Sequence, residues 1–346
     1  MRSLILLLVA FSALADNQDE FLNWCEEDLG RSRAAILRAL GETDCGRAWE
    51  EIQTVDTLPL YNQGIDDIWA LRFAKRLAYL DLAHNQVRDL SALSDLHSLK
   101  RVVLSYNEVA DLSPLRSLHQ LEVLQLDHNR IQRLSPLTKM TALRTLGLGN
   151  NRIRSLRPLT HVRNLEELSA PINDLRHTRG LAGHARLRFI DLSGNRISRL
   201  GDLEPLSRLE DLNLSGNQIA STEPLGTLAN LQRLNLHGNR LKRLDGVERL
   251  RQLQYLNISS NQIAHLTALA GLTQLLGLSA RSNGISDTVA LSNLTFLRIL
   301  ELDDNRIREV NHLSRLTQLQ RLSLSGNPLT ERQCPIPDPQ NRICVF

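Results

Sequence analysis

Leu121-Glu122-Val123-Leu124-Gln125-Leu126-Asp127-His128-Asn129-Arg130-Ile131-Gln132-Arg133-Leu134-Ser135-Pro136-Leu137-Thr138-Lys139-Met140-Thr141-Ala142 is one turn of a repeating pattern. Its apolar members are Leu121, Leu124, Leu126, Ile131, Leu134, Leu137 and Met140, and Leu143 opens the next turn. The asparagine recurs every 22 residues, at Asn85, Asn107, Asn129, Asn151, Asn173, Asn195, Asn217, Asn239, Asn261, Asn283, Asn305 and Asn327. A fixed period of about 20–50 residues marks a stacked-repeat solenoid, in which each unit buries its apolar face against its neighbours. An amide side chain both donates and accepts. One buried at the same corner of every coil can therefore satisfy backbone groups of its own turn and of the adjacent one.

The column five residues before each asparagine runs Leu80, Val102, Leu124, Leu146, Leu168, Ile190, Leu212, Leu234, Leu256, Leu278, Leu300 and Leu322, without a polar member. The tight L-x-L spacing before each asparagine alternates as a short strand does, and the wider apolar spacing after it suits a loop with a 3₁₀-like turn. Pro114, Pro136, Pro158 and Pro224 share one phase of the return arm, where they discourage a long α-helix. An earlier coil is in phase through Val55, Leu58, Leu60, Ile65, Ile68 and Leu71, with Gln63 in place of asparagine. Thirteen parallel strands are expected.

This L-x-x-L-x-L-x-x-N-x-I pattern with a Pro-Leu arm resembles the 22-residue, internalin-like class of leucine-rich repeats of secreted bacterial proteins, over residues 55–330. The resemblance implies an α/β solenoid: a curved horseshoe with a parallel β-sheet on the concave face and short 3₁₀ or irregular arms on the convex face. A small helical N-terminal cap is expected over residues 16–54, where Ala34, Ile36, Leu37 and Leu40 form a stripe stopped by Gly41, and Trp24 and Trp49 can cover the first coil.

Before the cap, Met1-Arg2-Ser3, an apolar run from Leu4 to Phe11, and Ala13-Leu14-Ala15 read as a secretory signal peptide over residues 1–15, cleaved after Ala15. The run is too short to span a membrane. A secreted or periplasmic protein is expected. Cys25 and Cys45 precede the repeats, and Cys334 and Cys344 lie in a C-terminal cap over residues 331–346. Each pair brackets a solenoid end. Structural disulfides are expected over a zinc or catalytic role, because there is no C-x-x-C and no matching histidine spacing. Such cysteine-paired caps resemble those of secreted bacterial repeat proteins.

No enzyme motif stands out, and the caps and repeats leave no segment for a catalytic domain. Gly147 and Gly149 fall on the repeat template, and His84 and His128 sit two coils apart, too far for one metal ion. Neither metal nor cofactor is expected. With 41 basic and 38 acidic residues the formal charge is +3, which offers little toward nucleic acid. Arginines do follow the asparagine column, among them Arg130, Arg152, Arg154, Arg196 and Arg240. They read as a solvated flank, or alternatively as a strip facing an anion.

Function is therefore sought on the concave sheet, where side chains alternate outward between core leucines. One outward column reads Tyr79, Arg101, Val123, Thr145, Glu167, Phe189, Asp211, Arg233, Tyr255, Gly277, Ile299 and Arg321, and the next, mostly small and polar, includes Val103. Tyr106 stands at a strand exit. Tyrosine and arginine are common interface anchors. Tyr79, Arg101, Val103, Tyr106, Val123, Phe189, Arg233, Tyr255, Ile299 and Arg321 are the candidate binding residues, for a protein partner taken by a monomer. Alternatives are a polysaccharide or lipopolysaccharide, stacked on Tyr79, Phe189 and Tyr255, and a regulatory role resembling the repeat partner of protein phosphatase 1, which the signal peptide opposes. The coil over residues 165–187 breaks template with Ala170, Thr178 and His184 at apolar positions, read as tolerated decay rather than a partner pocket.

Overall fold

The computed structural model describes residues 2–27, 30–201, 203, 206–337 and 343–346, with side chains placed from residue 15 onward. The chain divides into two compact units, Met1–Arg152 and Ile153–Phe346.

The first unit opens with three helices, α1 (Arg2–Glu27), α2 (Arg31–Leu40) and α3 (Cys45–Thr54). Helix α1 runs without interruption through the expected cleavage point after Ala15, so the residues on either side of it form one helix. The leader's side chains, through Leu14, lie outside the described residues. No helix among the described residues is long and apolar enough to cross a membrane. Helix α2 ends where expected: Gly41 takes the left-handed conformation (φ 75°), and its N–H caps the carbonyl of Arg38. Asp44 caps α3 by accepting the N–H of Arg47 at 2.9 Å.

The cap's core is aromatic. Phe21 packs 5.5 Å from Trp49 and 5.9 Å from Phe73, and Trp24 lies 6.4 Å from Trp69. Trp24 and Trp49 were legible as cover for the first coil. Phe21, fully buried at their centre, was not. Cys25 and Cys45 are joined, tying α1 to α3.

Strands β1 (Thr57–Pro59), β2 (Tyr79–Asp81), β3 (Arg101–Val103), β4 (Val123–Gln125) and β5 (Thr145–Gly147) follow, each parallel to the next. Every registered pair is offset by one repeat, as in Leu80 opposite Val102, so the core columns read from the sequence are also spatial columns. The return arms after β1 to β4 carry 3₁₀ turns of the kind at Ser135–Lys139, with Pro136 near the start where a missing N–H costs nothing.

The second unit continues the pattern with β6 (Glu167–Ser169), β7 (Phe189–Asp191), β8 (Asp211–Asn213), β9 (Arg233–Asn235), β10 (Tyr255–Asn257), β11 (Gly277–Ser279), β12 (Ile299–Glu301) and β13 (Arg321–Ser323), again parallel and in chain order. Among the described residues the repeats thus supply thirteen strands. A further strand, β14 (Cys344–Val345), comes from the C-terminal cap: Leu322 faces Cys344, and the Cys334–Cys344 disulfide anchors it. So short a strand carried no period by which to be read.

The asparagine column forms the ladder that its chemistry suggests. Asn217 donates through Nδ2 to the carbonyls of Leu192 and Leu214, both at 3.0 Å, and its Oδ1 accepts the N–H of Ile197 at 2.9 Å. Asn85 does the same one repeat from the start, bonding Leu60 at 2.8 Å and accepting from Ile65 at 2.9 Å. The residue before each of these asparagines has positive φ, as at His84 (58°), Tyr106 (59°) and Gly216 (63°), which turns the chain out of the strand.

The irregular coil over residues 165–187 is better built than decay would leave it. Thr178 and His184 are fully buried. Thr178 donates its hydroxyl to the carbonyl of Gly201, while the two ring nitrogens of His184 lie 3.0 Å and 3.1 Å from the carbonyls of Leu181 and Leu159. In place of a 3₁₀ turn this arm makes a parallel bridge, His177 with Arg199. Gly180 lets the arm pass close to its neighbour: at φ 108°, a Cβ there would lie 2.3 Å from the carbonyl oxygen of Leu156.

Candidate functional site

Because strand side chains alternate, each three-residue strand buries its central aliphatic residue and turns its first and third residues to the open face of the sheet. In the first unit the open face carries Tyr79, Arg101, Val103 and Val123. The guanidinium of Arg101 lies 5.7 Å from the centre of the Tyr79 ring, within cation–π range. The Tyr79 hydroxyl is 3.4 Å from Asp81, and burial, reinforced by the Asp81 charge, raises its pKa above the usual phenol value. Gly147 lies on the same face, buried beneath the side chains of Gln125 and Asp127.

Tyr106 does not join that cluster through its ring. It sits in the turn, stacked between His84 at 4.1 Å and His128 at 4.0 Å, with Tyr61 edge-on to His84 at 5.2 Å. Repeat phase alone places Tyr106 between the two histidines, so this stack was available to sequence reasoning and was missed.

In the second unit the open face hollows into a groove of about 520 Å³ along β7 to β12. Phe189, Arg233, Tyr255 and Ile299, each a sequence candidate, all line it. Tyr255 and Ile299 are each 41% exposed, high for large apolar side chains beside a core. The guanidinium of Arg233 lies 5.7 Å from the Tyr255 ring centre and 3.9 Å from the Asp211 carboxylate. Burial pushes the Asp211 pKa above the ordinary carboxylate value; Arg233 opposes the shift and Asp191 adds to it. Arg321, on β13, is outside the groove and lies 3.6 Å from Glu301.

The other rail of the groove is Asp191, Asn213, Asn235, Asn257 and Ser279. The sequence showed these as small polar positions and nothing more. Three consecutive asparagines in one outward column were the overlooked signal. Gly277 matters through what it omits: a Cβ there would come within 2.9 Å of the Tyr255 ring, so the ring leans into the space and leaves an apolar notch bounded by Ile299.

The arginine flank is paired in places. Glu108 bridges Arg88 and Arg130, at 3.0 Å and 2.7 Å, and Arg196 meets Asp174 at 3.1 Å. Arg154, Arg176 and Arg196 nevertheless share a hollow of about 400 Å³ with Asp174 as its one acid.

Short parallel strands, 3₁₀ arms and an asparagine ladder define a leucine-rich repeat solenoid. A family model of paired leucine-rich repeats, described as "Leucine Rich repeats (2 copies)", matches residues 75–117, 119–161, 185–227 and 229–271. The chain belongs to the leucine-rich repeat proteins and is internalin-like. It is similar to the crystal structure of an internalin, InlF of Listeria monocytogenes, with 25% identity, a TM-score of 0.72, and coverage of 86% of this chain and 96% of that one. It also resembles the functional domain of InlJ from the same organism, which includes a cysteine ladder, at 23% identity and a TM-score of 0.76, covering 86% of this chain and 64% of that one. The plant peptide hormone receptor RGFR1, solved in complex with RGF2, shares the fold at 19% identity and a TM-score of 0.65, over 80% of this chain and 52% of the receptor chain. A search of curated protein sequences returns no match.

Proposed function

We propose that this is an exported, non-enzymatic binding protein that takes a protein partner on the open face of its sheet, centred on the groove along β7 to β12. Leucine-rich repeat proteins generally bind proteins, and the two disulfides fit an oxidising compartment rather than a cytosolic regulatory role. The observation that carries the assignment is the groove itself, with Tyr255, Ile299 and Arg233 exposed beside a polar rail. Aromatic and arginine side chains in a concave, partly desolvated setting are where interface energy concentrates. Tyr79, Arg101, Val103 and Val123 on the first unit form a second set of anchors in this reading. The test is cross-linking of the full chain to envelope and host-cell extracts, followed by repetition with Tyr255→Ala and Arg233→Ala. Each substitution should weaken capture by more than about 1 kcal/mol while leaving the unfolding midpoint unchanged. Capture that survives both would remove the groove from the interface.

A second reading has one observation in its favour. The hollow among Arg154, Arg176 and Arg196 offers three guanidinium groups against one carboxylate, which suits phosphates of a lipopolysaccharide or another anionic polymer. Retention on purified envelope that falls with salt and with Arg154→Ala would support it. Retention indifferent to both would exclude it.

A further inference from the structure

We propose that the groove holds an extended, non-helical segment of the partner, laid across β7 to β12, with main-chain carbonyls on Asn213, Asn235 and Asn257, a basic side chain over Asp191 and Asp211, and an apolar side chain in the notch at Gly277. The proposal rests on the protein-binding reading above and narrows it to a segment of stated chemistry.

The three asparagines set the first requirement. Each uses its Oδ1 to accept the N–H two residues ahead: Ser215 at 3.1 Å for Asn213, His237 at 3.1 Å for Asn235, and Ser259 at 3.0 Å for Asn257. With the oxygen turned to its own backbone, each Nδ2 group is turned away from it. Among the described residues none of these three amide groups donates to the chain. At a strand separation of about 4.8 Å they form a row of donors about 10 Å long. A helix offers such a row nothing, because its carbonyls are consumed by its own N–H groups. An extended segment has carbonyls to give.

Charge sets the second requirement. Among the described residues, Asp191 accepts the N–H of Ser193 at 2.8 Å and has no ion pair, and Asp211 pairs only with Arg233, at 3.9 Å and engaged with the Tyr255 ring. The groove lining therefore carries two carboxylates against one guanidinium. Burial disfavours the charge on Asp211, and a lysine or arginine brought over the pair would compensate it. A neutral sugar chain could accept from the asparagines but would leave that charge unanswered.

Geometry supplies the third. Asp191 and Asp211 belong to β7 and β8 and Gly277 to β11, so the two subsites are three to four strands apart, about 14–19 Å. An extended chain advances about 3.1–3.4 Å per residue. The basic and apolar residues of the segment should then stand about four to six positions apart.

The experiment titrates the full chain with blocked synthetic dodecapeptides of Ser, Thr and Pro, carrying one lysine and one leucine at separations from one to eight. Affinity should peak at about four to six, by about tenfold over the shortest separations. Asn235→Ala should lower affinity at the peak. Asp211→Asn should abolish the preference for lysine over norleucine, and Gly277→Leu the preference for leucine over serine. Asp211→Asn is isosteric, and Gly277→Leu, on a strand of ordinary φ, pushes aside the Tyr255 side chain that a Cβ would meet at 2.9 Å without moving the backbone, so both variants should keep the parent circular dichroism. A flat dependence on separation, or preferences unchanged in the two variants, would overturn the proposal. If no peptide binds at millimolar concentration while cross-linked capture of a folded partner is still lost in Tyr255→Ala, the extended segment is refuted and the protein-binding face stands. If Tyr255→Ala and Arg233→Ala also spare capture, both readings fall.

Discussion

Replacing Asn217 by alanine tests the ladder most directly. The side chain is 7% exposed and deep in the second unit, and its amide is the partner of the Ile197 N–H and of the Leu192 and Leu214 carbonyls. Alanine removes all of these at once. A buried backbone group left without a partner costs about 1–3 kcal/mol. The costs do not simply add, since the vacated space is polar and large enough to admit a water that restores part of the bonding. A loss of about 2–4 kcal/mol follows. Asn283 makes an equivalent set of bonds, to Ile258 and Ile263, but is only half-buried, so water reaches its corner and the loss should be smaller. Urea denaturation of both variants measures the difference, and amide hydrogen exchange locates it: Ile197 should lose protection in the first variant and Ile263 in the second. Equal and negligible effects at the two sites would refute the argument, because they would mean that solvent already satisfies these corners.

Three further outcomes are expected. The raised pKa of Asp211 means that its ionised form is disfavoured by folding, a penalty that is absent below the ordinary carboxylate range, grows as pH rises through the folded value, and is complete above it. Asp211→Asn should therefore be more stable than the parent at neutral pH and no more stable in acid, as thermal melts across that range would show; an advantage that persists in acid would point to packing instead. Reducing Cys334–Cys344 should free β14 and expose the Leu322 and Leu324 amides, which donate to Ile343 and Val345 at 2.8 Å, lowering their exchange protection by about 2–3 kcal/mol while mid-array amides are unaffected. Gly180→Ala combines positive φ with a backbone clash against Leu156 and should cost about 1–3 kcal/mol by denaturation; a neutral result would mean that this arm does not approach its neighbour so closely.

The repeats were legible because periodicity is a property of the sequence itself. Once Asn107 and Leu124 recur at a fixed interval, their burial follows from stacking, and the registered pairs coincide with the predicted columns. The coil with Thr178 and His184 was misjudged for a related reason. Polar residues at core positions look like decay until the carbonyls of Gly201, Leu181 and Leu159 are seen beside them; the latter two already accept the N–H groups of His184 and Val162, and the ring nitrogens of His184 approach their remaining lone pairs. In the groove, Phe189, Arg233, Tyr255 and Ile299 could be named from their column. Its hollow could not, since it depends on the Tyr255 ring leaning over Gly277 and on Arg233 reaching toward Asp211. Side-chain direction of that kind is decided by neighbours 22 residues away and leaves no mark on composition.

The asparagine ladder has a direction. Asn217 closes the corner at Ile197, Asn239 the corner at Ile219, and Asn261 the corner at Leu241, so each coil is finished by the one made after it. At a synthesis rate of about 5–20 residues per second, a coil emerges from the ribosome about 1–4 s before the amide that completes it. A growing chain thus always carries one open corner at its youngest end, while every older corner is already closed. Maturation therefore proceeds from the N-terminal side, in step with translation. Removing coils from the C-terminal side bares a corner N–H such as that of Ile197, whereas removing them from the N-terminal side takes away carbonyls, such as those of Leu192 and Ile197, that the Asn217 amide and the Gln218 N–H had met.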